Sequence, residues 1–285
     1  MFKNILIPIS SEFYSKKVLK RGLFLAEKFS CTLHLIYIIE HKTLLRTDKI
    51  SNSHLTYYDK KETNKNIIRE NRLKANNIIF DDARYFLKKN DIPFSEKIVE
   101  GEFSPIIKHE LENSNYDLVL MGYEKRCLLN YRLIDELSIP IWVESETTGN
   151  SILAVLSNLS PNQKVPDFSI KLSKILNWNL HMLYIVDIAD SVQVDENGVR
   201  SKNLSERDLI FNAKNFIENM KDGGIDIQLI KGNLEKETVK AAKKLQADLI
   251  VIGREQKKRN IVGLPVKRVK KKIMQKCEYS ILFLN

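Results

Sequence analysis

Cysteine is scarce in this sequence. Cys31, Cys127 and Cys277 are the three in 285 residues, far apart and without a CxxC pair. An odd, scattered set builds neither a disulfide framework nor a paired zinc site, so reduced thiols in a cytoplasmic protein are expected. Long apolar runs are also missing, since none approaches the ~20 residues that span a bilayer. The opening Met1-Phe2-Lys3-Asn4 leads straight into an apolar strand, without the pattern of a secretory leader. The five histidines form no HxH or HxxxH pair, so no metal site is indicated. No serine, histidine and carboxylate stand at a spacing that identifies a triad, and spacing alone cannot assign one. These absences set aside disulfide scaffolds, membrane spans and zinc sites, and they leave no catalytic residue to name.

What the chain does have is an internal repeat. Leu33-His34-Leu35-Ile36-Tyr37-Ile38-Ile39 returns as Leu180-His181-Met182-Leu183-Tyr184-Ile185-Val186, and an acid follows each copy, Glu40 and Asp187. Ile5–Ser10 matches Ile152–Ser157 at the same offset of 147. Asp117–Gly122 matches Asp248–Gly253 and Gly101 matches Gly232, now at an offset of 131, so the first copy carries extra residues in its middle. A period this long is a duplicated domain. Two domains of about 140 residues, 1–146 and 151–285, fit the ordinary domain size. A composition of 43% hydrophobic and 29% charged residues is that of a globular protein.

Each half alternates short apolar runs with helical patterns. Strands are expected at 3–9, 32–39, 94–99, 117–121 and 139–143, with helices at 15–29, 62–89 and 103–113. A loop covers 40–61, and a short helix precedes the last strand. The second half repeats the order, with strands near 151–157, 179–186, 225–230, 248–252 and 279–284. Its helices fall near 164–177, 203–222, 234–245 and 264–276. Thr147–Asn150 reads as the linker and Asp195-Glu196-Asn197-Gly198 as a turn. Apolar strands alternating with helices predict two similar five-stranded, parallel, doubly wound α/β domains. Ligands in such sheets sit beyond the carboxyl ends of the strands, where strand order reverses. The residues to watch are therefore Ser10, Ser11, Glu40 and Gly122–Lys125, and then Ser157, Asn158, Asp187 and Gly253–Gln256.

Charge is the other marked feature. The net charge is +10, and residues 254–276 hold ten Lys or Arg against one acid. Such a block suits phosphates, nucleic acid or an acidic surface, while a solvated helix face is the plainer reading. The block has no interleaved aromatics, which argues against a stacking platform for single strands. His34 and His181 are expected as strand residues hydrogen-bonded in or near the core, and Trp142 and Trp178 as packing residues.

The order and spacing of these strands resemble the universal stress protein family, with its adenine nucleotide alpha hydrolase-like fold. The resemblance rests on Ile5-Leu6-Ile7-Pro8-Ile9, the Leu-His-Leu-Ile-Tyr strand, Val99-Glu100-Gly101, Asp117–Gly122 and Ser138–Val143, with their second copies. It implies a tandem member. Family domains commonly pair through the last strand, so residues 139–144 and 279–284 are expected to pair, giving an intramolecular pseudo-dimer. ATP-binding members carry G-x2-G-x9-G-[S/T] after the fourth strand and an aspartate at the end of the first. Here Ser10 and Ser157 take the aspartate position, Lys125 and Gln256 stand at the second glycine, and Lys267-Arg268 falls near the glycine–serine pair. Gly122 and Lys125 thus mark a degenerate first site, and only 18 residues separate Gly122 from Pro140.

The resemblance implies a non-enzymatic stress-response or regulatory protein with nucleotide binding lost or weakened. One alternative is a binder of ATP or another adenine nucleotide, or a slow ATPase, using Ser157, Gly253, Gly263, Lys267 and Arg268. The other is a binder of nucleic acid or an acidic surface through 254–276. A protein partner, and a monomer or homodimer, are all left open.

Overall fold

A computed structural model describes residues 1–10, 16–39, 70, 81–122, 137–145, 149–221, 225–254 and 279–285. The expected loop at 40–61, most of the helix at 62–89, the short helix before 139 and the helix at 264–276 lie outside the described residues, as do Cys127 and Cys277. The chain divides into two compact units, Met1–Cys127 and Leu128–Asn285.

In the first unit, strands β1 (Asn4–Ser10), β2 (Thr32–Ile39), β3 (Phe94–Glu100) and β4 (Leu118–Gly122) lie in the order β3-β2-β1-β4. All three ladders are parallel. β4 and the interior of β1, Ile5–Ile9, are apolar and buried, as a sheet covered on both faces requires. Pro8 has no N–H to donate, and the β1–β4 ladder involves only Ile5 and Leu6, ahead of it. Helix α1 (Lys16–Phe29) buries Val18, Leu19, Gly22, Leu25 and Ala26, one face of a 3.6-residue period. At Gly22 an added Cβ would stand 2.8 Å from Ile7 Cδ1, so the glycine brings helix and sheet close together. Helices α2 (Asp81–Lys88) and α3 (Phe103–Asn113) flank β3 in sequence.

The second unit contains β5 (Ile141–Glu144), β6 (Ser151–Ser157), β7 (Asn179–Val186), β8 (Gln228–Lys231), β9 (Leu249–Gly253) and β10 (Ser280–Leu284). Within this unit their order is β5-β10-β9-β6-β7-β8. Five of them are parallel, and β5 joins antiparallel, with Ile141, Trp142 and Val143 opposite Phe283, Leu282 and Ile281. The strand expected to close the first half therefore folds with the second unit and pairs with 280–284. Its buried Glu144 carboxylate accepts from Trp142 Nε1 at 2.9 Å and from Ser280 Oγ at 3.1 Å, which ties β5 to β10. Helices α4 (Lys164–Leu176), α5 (Glu206–Lys221) and α6 (Leu234–Leu245) follow β6, β7 and β8. α4 and α6 stop at left-handed Asn177 and Gln246, so residues other than glycine terminate them. The predicted turn at 195–198 is a tight hairpin tip. Asp195 Oδ1 accepts from the N–H groups of Asn197 and Val199, and Gly198 takes φ 75°.

The repeat is legible in hydrogen bonds as well as in residues. Gly101 N–H donates to Ile39 O, and Gly232 N–H donates to Val186 O, both at 3.1 Å. Both glycines have positive φ, where a side chain is strained. Asp117 N–H donates to Asn4 O at 2.9 Å, and Asp248 N–H donates to Ser151 O at 2.8 Å. The Asp117 carboxylate also accepts from the N–H groups of Lys3 (2.7 Å) and Asn4 (2.9 Å) and so fastens the start of β1. This acid therefore serves the fold at the amino-terminal end of the sheet, away from the strand exits. We expect Asp117→Ala to cost about 1.5 kcal/mol, the worth of hydrogen bonds to a charged group. A urea denaturation midpoint unchanged from the parent chain would contradict this role.

Candidate ligand crevice at the strand exits

β1 lies between β2 and β4, and β6 lies between β7 and β9, so each sheet reverses its strand order beside its first strand. The described residues around the second reversal are Ser157, Asn158, Asp187 and Gly253, and they bond mainly to one another and to the adjacent chain.

Ser157 is fully buried. Its N–H donates to Asn162 Oδ1 at 3.0 Å, and its carbonyl accepts from Asn162 Nδ2 at 2.9 Å. Its hydroxyl lies 3.4 Å from Asn158 Oδ1 and accepts from Leu159 N–H at 3.2 Å. Asn158, also fully buried, reaches across to the chain that leaves β7. Its Nδ2 lies within reach of the carbonyls of Asp187 (3.1 Å), Asp190 (3.3 Å) and Val192 (2.9 Å), and its Oδ1 accepts from Asp187 N–H at 2.7 Å. Its backbone carbonyl accepts from Val194 N–H at 2.8 Å.

Asp187 is 2% exposed, and both of its carboxylate oxygens are engaged. Oδ1 accepts from Ala189 N–H at 2.9 Å, and Oδ2 accepts from Leu234 N–H at 2.8 Å, the first residue of α6. A carboxylate is favourable at a helix N-terminus because the unpaired N–H groups there carry partial positive charge. Asn233 caps the same helix by accepting from Lys236 N–H at 3.2 Å. Burial pushes the Tyr184 phenol up, against the opposing pull of the Gln193 and Asn162 side chains.

Gly253 is closed in more directly. A Cβ built on it would stand 1.8 Å from the carbonyl oxygen of Pro161 and 2.9 Å from its carbon. The 158–162 loop thus rests on the backbone of the fourth strand's exit. Arg254, the first cation of the basic block, is 1% exposed. Its guanidinium donates to the carbonyls of Leu137 (2.7 Å) and Ile139 (2.8 Å) and to Asn285 Oδ1. It is a structural cation, and the reading of 254–276 as one exposed basic surface does not extend to it.

The structure therefore brings Ser157 and Gly253 to the same reversal, while Gly263, Lys267, Arg268 and Gln256 lie outside the described residues. In the first unit Ser10 is fully buried and Gly122 ends β4 in a buried position. Ser11, Glu40 and Lys125 lie outside the described residues. Asn162, Pro161 and Asn233 are the local residues that sequence reasoning missed. Asn233 had a signal, an N-cap residue directly before a helical pattern. Pro161 had none, because a carbonyl resting on a distant glycine leaves no mark in a sequence. Among the described residues no group of three or more His, Cys, Asp or Glu side chains is placed to hold a metal. No helix among them is long and apolar enough to cross a membrane.

The two repeated histidines part company. His34 sits on β2 at the other end of the first sheet and is half-buried. Its Nδ1 is 2.8 Å from Ser95 Oγ, its Nε2 is 3.3 Å from Asn4 Oδ1, and its ring meets Tyr116 edge-on at 5.2 Å. His181 is exposed, which corrects the expectation of a core-bonded ring there. The β7–β8 ladder begins at Leu183, beyond it. Trp142 and Trp178 are buried packing residues, as expected. Burial raises the buried Cys31 thiol to about 11.

The universal stress protein family model matches residues 1–138 and again 150–284, and the chain belongs to that family. Two family domains in tandem account for the repeat. Among solved structures, a universal stress protein from Archaeoglobus fulgidus DSM 4304 is similar, with TM-score 0.66 and 13% identity over 99% of this chain and 96% of that one. A functionally unknown protein from Pseudomonas aeruginosa PAO1 has TM-score 0.64 and 14% identity, over 99% of this chain and 92% of its own. A putative universal stress protein from Pseudomonas aeruginosa UCBPP-PA14 has the same TM-score and identity, over 99% and 93%. At such identities the likeness is one of fold. No curated protein matches the chain.

Two outcomes are expected from this geometry. Gly253→Ala forces the Pro161 carbonyl away and should cost about 2–3 kcal/mol as overpacking, read as a lower thermal midpoint. A midpoint equal to that of the parent would show that the loop yields freely. Burial holds His34 below its ordinary value of 6.5. The unfolded chain then takes up this proton first as pH falls, so the His34 contribution to stability is present above about 6.5 and is lost below it. Urea midpoints at about pH 5 and about pH 8 should differ less in His34→Gln than in the parent chain. An equal difference would remove His34 as the source.

Proposed function

We propose that this protein is a non-enzymatic stress-response or regulatory member of its family in which nucleotide binding is lost or weakened. The observation that carries the reading is the Pro161 carbonyl seated on Gly253, beside a Ser157 committed to its own loop. A nucleotide phosphate is held by convergent N–H donors and a helix N-terminus. What faces Gly253 is a carbonyl oxygen, an acceptor that repels an anion. The nearby N-terminus of α6 already carries the Asp187 carboxylate. These contacts speak against ATP at this crevice. In the first half, Lys125 at the glycine position and the short segment up to Pro140 support the same loss.

The reading takes 1–146 and 151–285 as two domains of a cytoplasmic protein. Two family domains in tandem are consistent with an internal pseudo-dimer. ATP binding or slow ATPase activity through Lys267 and Arg268, and nucleic-acid binding through 254–276, are the competing readings. The commitment of Arg254 to backbone carbonyls takes one charge away from the latter.

Calorimetric titration of the whole chain with ATP and magnesium tests the proposal. No saturable heat is expected, and no rise in melting temperature with nucleotide concentration. Saturable micromolar binding that Lys267→Ala with Arg268→Ala abolishes would replace it with the nucleotide-binder reading. Duplex DNA binding with a steep salt slope would replace it with the nucleic-acid reading.

A further inference from the structure

Three side chains far apart in sequence meet at the amino-terminal end of the first sheet. Ser95 on β3 stands directly opposite His34 on β2, and Asn4 begins β1. Ser95 is exposed, while His34 and Asn4 are half-buried. Parallel pairing places Ser95 Oγ 2.8 Å from His34 Nδ1, a normal hydrogen bond. His34 Nε2 faces Asn4 Oδ1 at 3.3 Å. An amide oxygen only accepts, so Nε2 carries the ring proton and Nδ1 presents its lone pair to the serine. Tyr116, edge-on to the imidazole, limits its rotation.

We propose that Ser95 is a nucleophilic serine, with His34 as its general base and Asn4 as the positioning residue that fixes the tautomer, and that it accepts a single acyl group, without turnover, from small activated carboxylic esters. Nucleophile, base and orienting group in hydrogen-bond contact are the arrangement that activates a hydroxyl. Ser95 Oγ attacks the ester carbonyl carbon and its proton passes to His34 Nδ1. The new Oγ–carbon bond forms as the carbon–oxygen bond to the leaving group breaks. The departing oxygen takes the proton, leaving an acyl-serine. The exposure of Ser95 suits small esters. Burial keeps His34 on the neutral side at pH 7, as a base must be.

The duplicate half shows that the strand pattern does not require this grouping. The repeat offsets align Asn4 with Ser151, Ser95 with Asp226 and Tyr116 with Ala247. His181 keeps the histidine but is exposed. The serine and the asparagine are thus particular to the first copy.

The test uses the full chain with p-nitrophenyl acetate, following p-nitrophenol release and locating the adduct by peptide mass spectrometry. A single acetyl group on Ser95 is expected. Ser95→Ala should abolish that adduct, and His34→Gln should slow its formation about 100-fold, the ordinary scale of general-base assistance. Thermal midpoints report whether each variant is folded. Asn4→Ala should slow the reaction and Asn4→Asp, which keeps an accepting oxygen, should restore it. A purely structural Asn4 would move the midpoint and leave the rate unchanged. Acetylation confined to lysines, or a Ser95 rate unchanged in folded His34→Gln, overturns the proposal. If His34→Gln does not fold, Ser95→Ala decides, because an unchanged adduct mass and release rate there also overturns it.

Discussion

A parallel sheet covered on both faces has room for polar chemistry only at its ends, and this constraint governs the protein. β1, β4, β6, β9 and β10 are almost entirely apolar and buried. A polar group within them would lose water without a guaranteed partner. Function on this fold therefore concerns what the chain does just before and just after each strand.

In the second unit the chain uses the strand exits for its own cohesion. Asn158 is the centre of this arrangement, because one carboxamide joins the exit of β6 to the segment that leaves β7. Asp187 continues it to the first N–H of α6. Removing either group would strand buried donors and acceptors, which costs more than a single hydrogen bond is worth. These groups would have to give up their bonds before they could meet a ligand.

The opposite end of the first sheet has the reverse character. Asp117 secures the β1 start through backbone N–H groups, and a few residues away Asn4, His34 and Ser95 remain partly open to solvent. Duplication supplied two copies of each strand, yet the copies differ in the side chains that meet across strands at this end. His34 gained partners on two neighbouring strands, whereas His181 faces water. A duplicated fold can therefore hold its backbone constant while its polar ends diverge.

The amino-acid sequence alone determined the duplication, the strand–helix order, the parallel sheets and the helix faces. Those properties follow from local periodicity and from apolar runs that have only one way to be buried. It also marked Ser10 and Ser157 as departures from an acidic position and Asp187 as a strand-exit acid. Tertiary structure alone decided that the expected pairing of 139–144 with 279–284 runs antiparallel, since an apolar strand can pair either way. It alone decided that Arg254 is buried on carbonyls, that Pro161 rests on Gly253, and that Asn4, His34 and Ser95 come together. Each of these depends on contacts between residues remote in the chain, and a one-dimensional pattern does not record distance across a sheet.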